Sequence, residues 1–218
     1  MIKATTDKSA VVLISGSGSN LQAIIDAIEN KELKLTISAV ISNVDNAKGL
    51  IRAEKAGIST SCIKHNEFSE RINYDRMLLK EIEKYKPDYI ILAGFMRILT
   101  PWFINQYHGL IINIHPSLLP KFPGLNTHQR AIDNNEKWHG CTVHIVTEDL
   151  DGGPPIIQAK VPVKINDNSS TLSSRVLKTE HQIYKKALQL LISGQLEYKN
   201  KNIWLSHEKL EKPLEIVF

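Results

Sequence analysis

Short apolar runs of strand length alternate with stretches of helical periodicity through the first half of the chain, and this alternation constrains the fold most. Residues 11–14, 35–41, 89–93 and 110–114 read as strands buried on both faces. Between them, residues 21–28, 47–56 and 69–85 carry helical spacing; in the last, Ile72, Leu78, Leu79, Ile82 and Tyr85 fall near one face. A strand that returns parallel to its predecessor needs a long crossover, and a helix is the usual one. The expectation is an α/β fold of Rossmann-like kind: a mostly parallel twisted sheet with helices on both faces. After residue 138 the texture changes. Residues 140–147 and 156–163 read as antiparallel strands around a turn-rich Asp149 to Pro155, and a long helix is expected over 171–191.

The 218 residues correspond to roughly one to one and a half domains, and no repeat or linker marks a second one, so a single domain over 1–218 is expected. Hydrophobic residues at 42% and charged residues at 23% exclude a disordered chain. No apolar run reaches the ~18 residues of a membrane span, and residues 1–10 lack the apolar segment of a secretory leader, so a cytoplasmic location is expected. Cys62 and Cys141 show neither zinc nor redox spacing and read as small buried hydrophobes in a reducing compartment. The net charge of +4 suits anionic small molecules. It is too diffuse for a nucleic-acid surface, and the one tight basic cluster, Lys199-Asn200-Lys201, reads as a solvated turn.

Ser15-Gly16-Ser17-Gly18-Ser19-Asn20 sits between the first strand and the first helix. Leu21 stands where a dinucleotide fingerprint needs its third glycine, and the Gly-Lys-Ser/Thr of a P-loop is absent. Two readings stay open: a cradle for one phosphate monoester, or a strand–helix turn capped by Ser19 or Asn20 with no ligand.

Asn113-Ile114-His115-Pro116 closes a strand. Residues two apart share a face, so Asn113 and His115 lie together where ligands of open α/β sheets bind, beyond a strand's carboxyl end. An imidazole moves protons near neutral pH, and an amide N–H holds a developing oxyanion, which suits acyl transfer. The alternative is a structural histidine. Asp151, followed by Gly152-Gly153, can approach the sheet edge and support His115; the alternative is a solvated turn residue. The EF-hand glutamate is missing from this turn, and His139 and His144 have the wrong parity for a metal pair on one strand face, so no metal is expected. His128 falls on a short helix, and His65, His108, His181 and His207 lack companions. Glu180 interrupts the apolar stripe Leu172, Val176, Leu177, Ile183, Tyr184, Ala187 and Leu191. Burying a carboxylate alone is costly, so a salt bridge or sugar hydroxyls are its candidate partners.

Four segments in this order resemble the phosphoribosylglycinamide formyltransferases: residues 14–24, Leu92-Ala93-Gly94-Phe95-Met96-Arg97-Ile98-Leu99, Asn113-Ile114-His115-Pro116-Ser117-Leu118-Leu119-Pro120 and Asp149-Leu150-Asp151-Gly152-Gly153-Pro154. The likeness runs from about residue 10 to 205. It implies the formyltransferase fold, with an N-terminal half that binds a nucleotide phosphate and a C-terminal half for folate binding and catalysis. The implied reaction moves the formyl group of 10-formyltetrahydrofolate, a co-substrate, to the amine of glycinamide ribonucleotide in purine biosynthesis, without a metal. Carried over by position, Asn113, His115 and Asp151 would run the reaction. Gly18, Ser19, Asn20 and Glu180 would hold the ribonucleotide. Arg71, Met96, Arg97, Ile98, Leu99 and Asn113, with the backbone of Thr147, Glu148, Asp149, Leu150 and Asp151, would hold the folate. The loop around Asn126 receives no role. A monomer or homodimer is expected, with no membrane or nucleic-acid partner.

Methionyl-tRNA formyltransferase and formyltetrahydrofolate deformylase share the folate half but carry additional domains, and the chain length leads us to expect neither extension. A folate- or nucleotide-binding module without turnover is the rival of another class, and the complete Asn113, His115, Asp151 set argues against it.

Overall fold

A computed structural model describes residues 8–218. The absence of a leader was read mainly from residues 1–7, which lie outside the described residues. The chain forms two compact units, one ending at Ile111 and the other beginning at Ile112.

The first unit is built on β1 (Lys8–Ile14), β2 (Leu35–Ser42), β3 (Thr60–Cys62) and β4 (Tyr89–Leu92). All pairings are parallel, in the order β4-β1-β2-β3. Ala10, Val11, Val12, Leu13 and Ile14 are fully buried, as a central strand covered on both faces requires. The crossovers are α1 (Ser19–Glu29), α2 (Lys48–Lys55) and α3 (Arg71–Glu83). α1 buries Leu21, Ile24 and Ile25, and α3 buries Leu78, Leu79 and Ile82 as their spacing implies; Tyr74 is buried as well, whereas Ile72 and Tyr85 are only half-buried. A six-residue helix, α4 (Pro101–Gln106), was not foreseen; Thr100 caps it and Pro101 opens it, but it is too short to show a period. Because β1 lies between β2 and β4, the chain leaves β1 and β4 in opposite directions across the sheet, and a crevice opens beyond their carboxyl ends.

The second unit pairs β5 (Leu110–His115) antiparallel with β6 (Trp138–Ile145), and β6 antiparallel with β7 (Pro155–Pro162). α5 (Thr127–Asp133) is the short helix that carries His128. α6 (Ser169–Ile192) packs on β6 and β7 through Leu172, Val176, Ile183, Tyr184 and Ala187. It starts two residues before the expected position 171, because Asn168 and Thr171 form a reciprocal capping box (2.9 and 3.0 Å).

The end of the chain, silent in the sequence, forms a three-stranded antiparallel sheet of β8 (Leu196–Lys199), β9 (Asn202–Leu205) and β10 (Glu208–Lys209). Asn200 and Lys201 supply its first two-residue turn with φ of 51° and 62°, so the basic cluster is a hairpin turn, as expected. β11 (Leu214–Val217) then joins β7 in parallel. No helix among the described residues is long and apolar enough to cross a membrane. Cys141 is buried, whereas Cys62 is exposed, which corrects the reading of both as core residues: β3 is a three-residue strand at the edge of the sheet formed by the described residues.

Candidate active site

The first unit holds a cavity of about 200 Å³, lined by Ser15 to Asn20 on one side and by Ala93, Gly94 and Met96 on the other. These segments follow β1 and β4, so the cavity occupies the crevice that the strand order dictates. Gly18, rather than Ser19 or Asn20, stands at the N-cap of α1, with φ 69° and no side-chain cap. The first N–H groups of α1 therefore keep no side-chain acceptor from the cap position. A Cβ on Gly18 would lie 2.5 Å from the Gly49 Cα, so glycine is needed for space as well as for φ. The turn is braced from α2: the Gly49 N–H donates to the Gly16 carbonyl (3.0 Å) and Arg52 Nε–H to that of Ser17 (2.9 Å). Ser15 Oγ donates to Asn43 Oδ1 (2.5 Å) and accepts from the Met96 N–H (2.7 Å), which ties the two walls together.

Of the residues expected on the folate side in this unit, Met96 and Ile98 are 68% and 51% exposed, large apolar side chains open to a ligand. Arg71 opens α3 and donates to the Ile98 carbonyl, holding that loop. Arg97 lies over the Tyr74 ring at 4.6 Å, and Leu99 is buried.

In the second unit, Asn113 and His115 project from β5 on one face. His115 is buried, and both ring nitrogens face oxygens: Nε2 lies 2.9 Å from the Phe122 carbonyl and Nδ1 3.4 Å from Asp151 Oδ2. A doubly protonated ring would fill both with N–H donors. Asp151 sits in the β6–β7 turn with φ 51°, a left-handed conformation uncommon for a residue with a Cβ. Its Oδ2 also accepts the Gly124 N–H at 2.8 Å, so the carboxylate joins the 122–124 loop to the histidine. The two glycines explain its approach to the sheet: a Cβ on Gly153 would lie 1.9 Å from the Ile145 carbonyl oxygen.

His144, whose sequence spacing from His139 argues only against a metal pair, has a second environment. The structure places it in the site: it is the cross-strand partner of Asn113, and its Nε2 lies 3.1 Å from Asn113 Nδ2 and 3.8 Å from Asp151 Oδ1. Its Nδ1 lies 3.0 Å from the Ile145 carbonyl, and burial pushes its pKa down to about 4. Parity along one strand relates His144 only to His139, whereas its neighbour in the site is 31 positions away across a strand pair. His139 bonds His128 instead (3.1 Å), and burial, aided by the neighbouring histidines, pushes its pKa to about 4. Among the described residues no group of three or more His, Cys, Asp or Glu side chains is placed to hold a metal.

Thr147 to Leu150 lead the chain from β6 into the turn that ends in Asp151; the Asp149 carbonyl accepts the Gly152 N–H (3.0 Å), and Leu150 is 51% exposed. Glu180 is buried on α6, where its charge adds to burial in pushing the Cys141 thiol and the Tyr184 hydroxyl upward. Ser117, Thr142 and Gln158, all buried, pin the 117–119 loop: Thr142 Oγ1 donates to the Ser117 carbonyl and Gln158 Nε2 to that of Leu119, both at 2.7 Å.

A buried imidazole against a carboxylate, with a side-chain amide beside it on the same strand, is an arrangement that suits acyl transfer. Residues 8–188 match the formyl transferase family model, and the chain belongs to that family. It is 50% identical to the phosphoribosylglycinamide formyltransferase of Escherichia coli over 92% of this chain and 94% of that protein. It is 46% identical to the human trifunctional purine biosynthetic protein adenosine-3 over 90% of this chain, which spans 20% of that longer protein. Among solved structures, the phosphoribosylglycinamide formyltransferase of Coxiella burnetii superposes with a TM-score of 0.91 at 48% identity, covering 97% of this chain and all of that one.

Proposed function

We infer that the chain transfers the formyl group of 10-formyltetrahydrofolate to the amine of glycinamide ribonucleotide, giving formylglycinamide ribonucleotide and tetrahydrofolate. The observation that carries this reading is the His115 ring held between Asp151 and the Phe122 carbonyl, two residues along β5 from Asn113. The close identity to named formyltransferases supports the choice of substrates.

In this reading Gly18, Ser19 and Asn20 receive the nucleotide phosphate on the uncapped N–H groups of α1, where the helix dipole favours an anion. Glu180 accepts the ribose hydroxyls. Exposed Met96 and Ile98 supply apolar contact for the folate, Arg71, Arg97 and Leu99 shape that wall, and the backbone of residues 147–151 presents hydrogen-bonding groups to the pterin. As the amine attacks the formyl carbon, negative charge develops on the formyl oxygen. The Asn113 amide and protonated His115 stabilise it, and Asp151 steadies the imidazolium; as the folate C–N bond breaks, His115 gives its proton to the departing nitrogen and takes up the proton shed by the attacking amine. The first unit thus serves the phosphate and the second the acid–base chemistry, within one functional domain. A cytoplasmic protein, monomeric or dimeric, completes the reading; the two free cysteines support a reducing compartment.

The test is to supply 10-formyltetrahydrofolate with and without glycinamide ribonucleotide and follow loss of the formyl group. Loss that requires the ribonucleotide is expected. Loss without it would make the protein a hydrolase of the folate, and no loss would make it a binding module.

A further inference from the structure

We propose that His144 is a positioning residue, the neutral hydrogen-bond acceptor that sets which way the Asn113 side-chain amide points. This rests on the transfer reading above and assigns a role to a side chain outside the expected reacting group.

Asn113 and His144 face each other across the β5–β6 ladder, which brings the amide and the imidazole together without any loop. His144 is 2% exposed, so its ring has no access to bulk water to satisfy either nitrogen. The carbonyl of Ile145 lies 3.0 Å from Nδ1 and can only accept, so Nδ1 carries the proton. In a neutral ring, Nε2 is then a bare acceptor, and burial keeps the ring neutral. The group nearest Nε2 is the Asn113 amide at 3.1 Å. An acceptor there attracts the NH₂ end of that amide and repels its carbonyl. One amide N–H is consumed and the other keeps a defined direction, as oxyanion stabilisation requires.

A neutral ring protonated on Nε2 instead would leave a bare Nδ1 facing the Ile145 carbonyl oxygen at 3.0 Å, two acceptors in contact. With a proton on Nε2, the ring would turn a donor towards Asn113 and Asp151 Oδ1, 3.8 Å away. The amide would have to present its carbonyl, removing its N–H groups from that side. Asp151 would also divide its charge between two imidazoles. With His144 neutral, Asp151 keeps a single histidine, His115, as its charge partner.

The consequence is an energetic coupling between His144 and Asn113 in turnover. His144→Phe, which keeps the ring but has no acceptor, should lower kcat about 10- to 100-fold with KM for both substrates within about threefold, a part of the loss expected on deleting an oxyanion donor. His144→Gln, which places an amide oxygen near the position of Nε2, should restore kcat to within about fivefold of the parent. In an Asn113→Ala background, His144→Phe should cost less than about twofold, because the group it orients is gone. Additive losses, or a His144→Phe enzyme with parental kcat, would overturn the proposal while leaving the transfer reading intact. An unaltered protein without ribonucleotide-dependent transfer would overturn both. Imidazole ¹⁵N NMR of the unaltered protein gives a readout independent of activity: His144 should show a protonated Nδ1 and a bare Nε2 at neutral pH. A proton on Nε2 would refute the assignment.

Discussion

Adding one methyl group to the turn after β1 tests how that turn is held. In Gly18→Ala the new Cβ would start 2.5 Å from the Gly49 Cα, a backbone atom that cannot swing away. Reaching ordinary carbon contact near ~3.5 Å moves the turn and the start of α2 apart by about 1 Å. The residue must also keep φ near 69°, which costs a non-glycine residue about 1–2 kcal/mol. The displacement loosens two hydrogen bonds, Gly49 N–H to Gly16 and Arg52 Nε–H to Ser17, worth about 1 kcal/mol together once lengthened rather than lost. The sum is about 2–3 kcal/mol, or a fall in Tm of about 4–12 °C for a chain of this size. A phosphate cradle displaced by about 1 Å should raise KM for glycinamide ribonucleotide at least about tenfold. Gly16→Ala is the control: its Cβ meets no atom within 4 Å, so its stability should stay within about 1 kcal/mol of the parent. Thermal denaturation followed by circular dichroism, with steady-state kinetics on both proteins, decides the matter. A Gly18→Ala protein with the parental Tm and KM would refute the steric argument, and so would a Gly16→Ala protein equally destabilised.

His115→Ala and Asn113→Ala should each lower turnover by about 10²–10⁴ while far-UV circular dichroism is unchanged; turnover near the parental value in either removes that residue from the reaction. Glu180→Gln keeps the volume and loses the charge, so it should weaken ribonucleotide binding several-fold in calorimetry, and unchanged affinity would return Glu180 to a structural role. Stability should also depend on pH in a defined window. His139 and His144 are held near pKa 4 when folded and return towards 6.5 when unfolded, so between these values the unfolded chain binds more protons and stability falls as pH falls. At pH 5 each should cost about 2 kcal/mol relative to pH 8. Urea unfolding across that range should show the slope, His139→Phe should lessen it, and a pH-independent midpoint would contradict the burial assigned to both rings.

Much of this protein can be read along its chain, because local periodicity and local chemistry are properties of short segments. The buried runs of β1, β2, β4 and β5 and the helical faces of α1, α3 and α6 follow from residue spacing alone. So does the shared face of Asn113 and His115, a consequence of the two-residue strand period. Gly152-Gly153 signalled close backbone approach, and the Ile145 carbonyl is what it approaches.

What only the tertiary structure decided is whatever depends on register or on distant partners. The tail after residue 194 becomes β8 to β11 through two tight hairpin turns and a parallel pairing with β7 that no local pattern encodes. Gly18 needs to be glycine because Gly49, 31 residues later, lies against it. His144 gains its role in the same way: a one-residue slip of β6 against β5 would turn it to the opposite face, away from Asn113. Sequence spacing sets which way a side chain faces along its own strand, while the ladder between strands sets what it meets there.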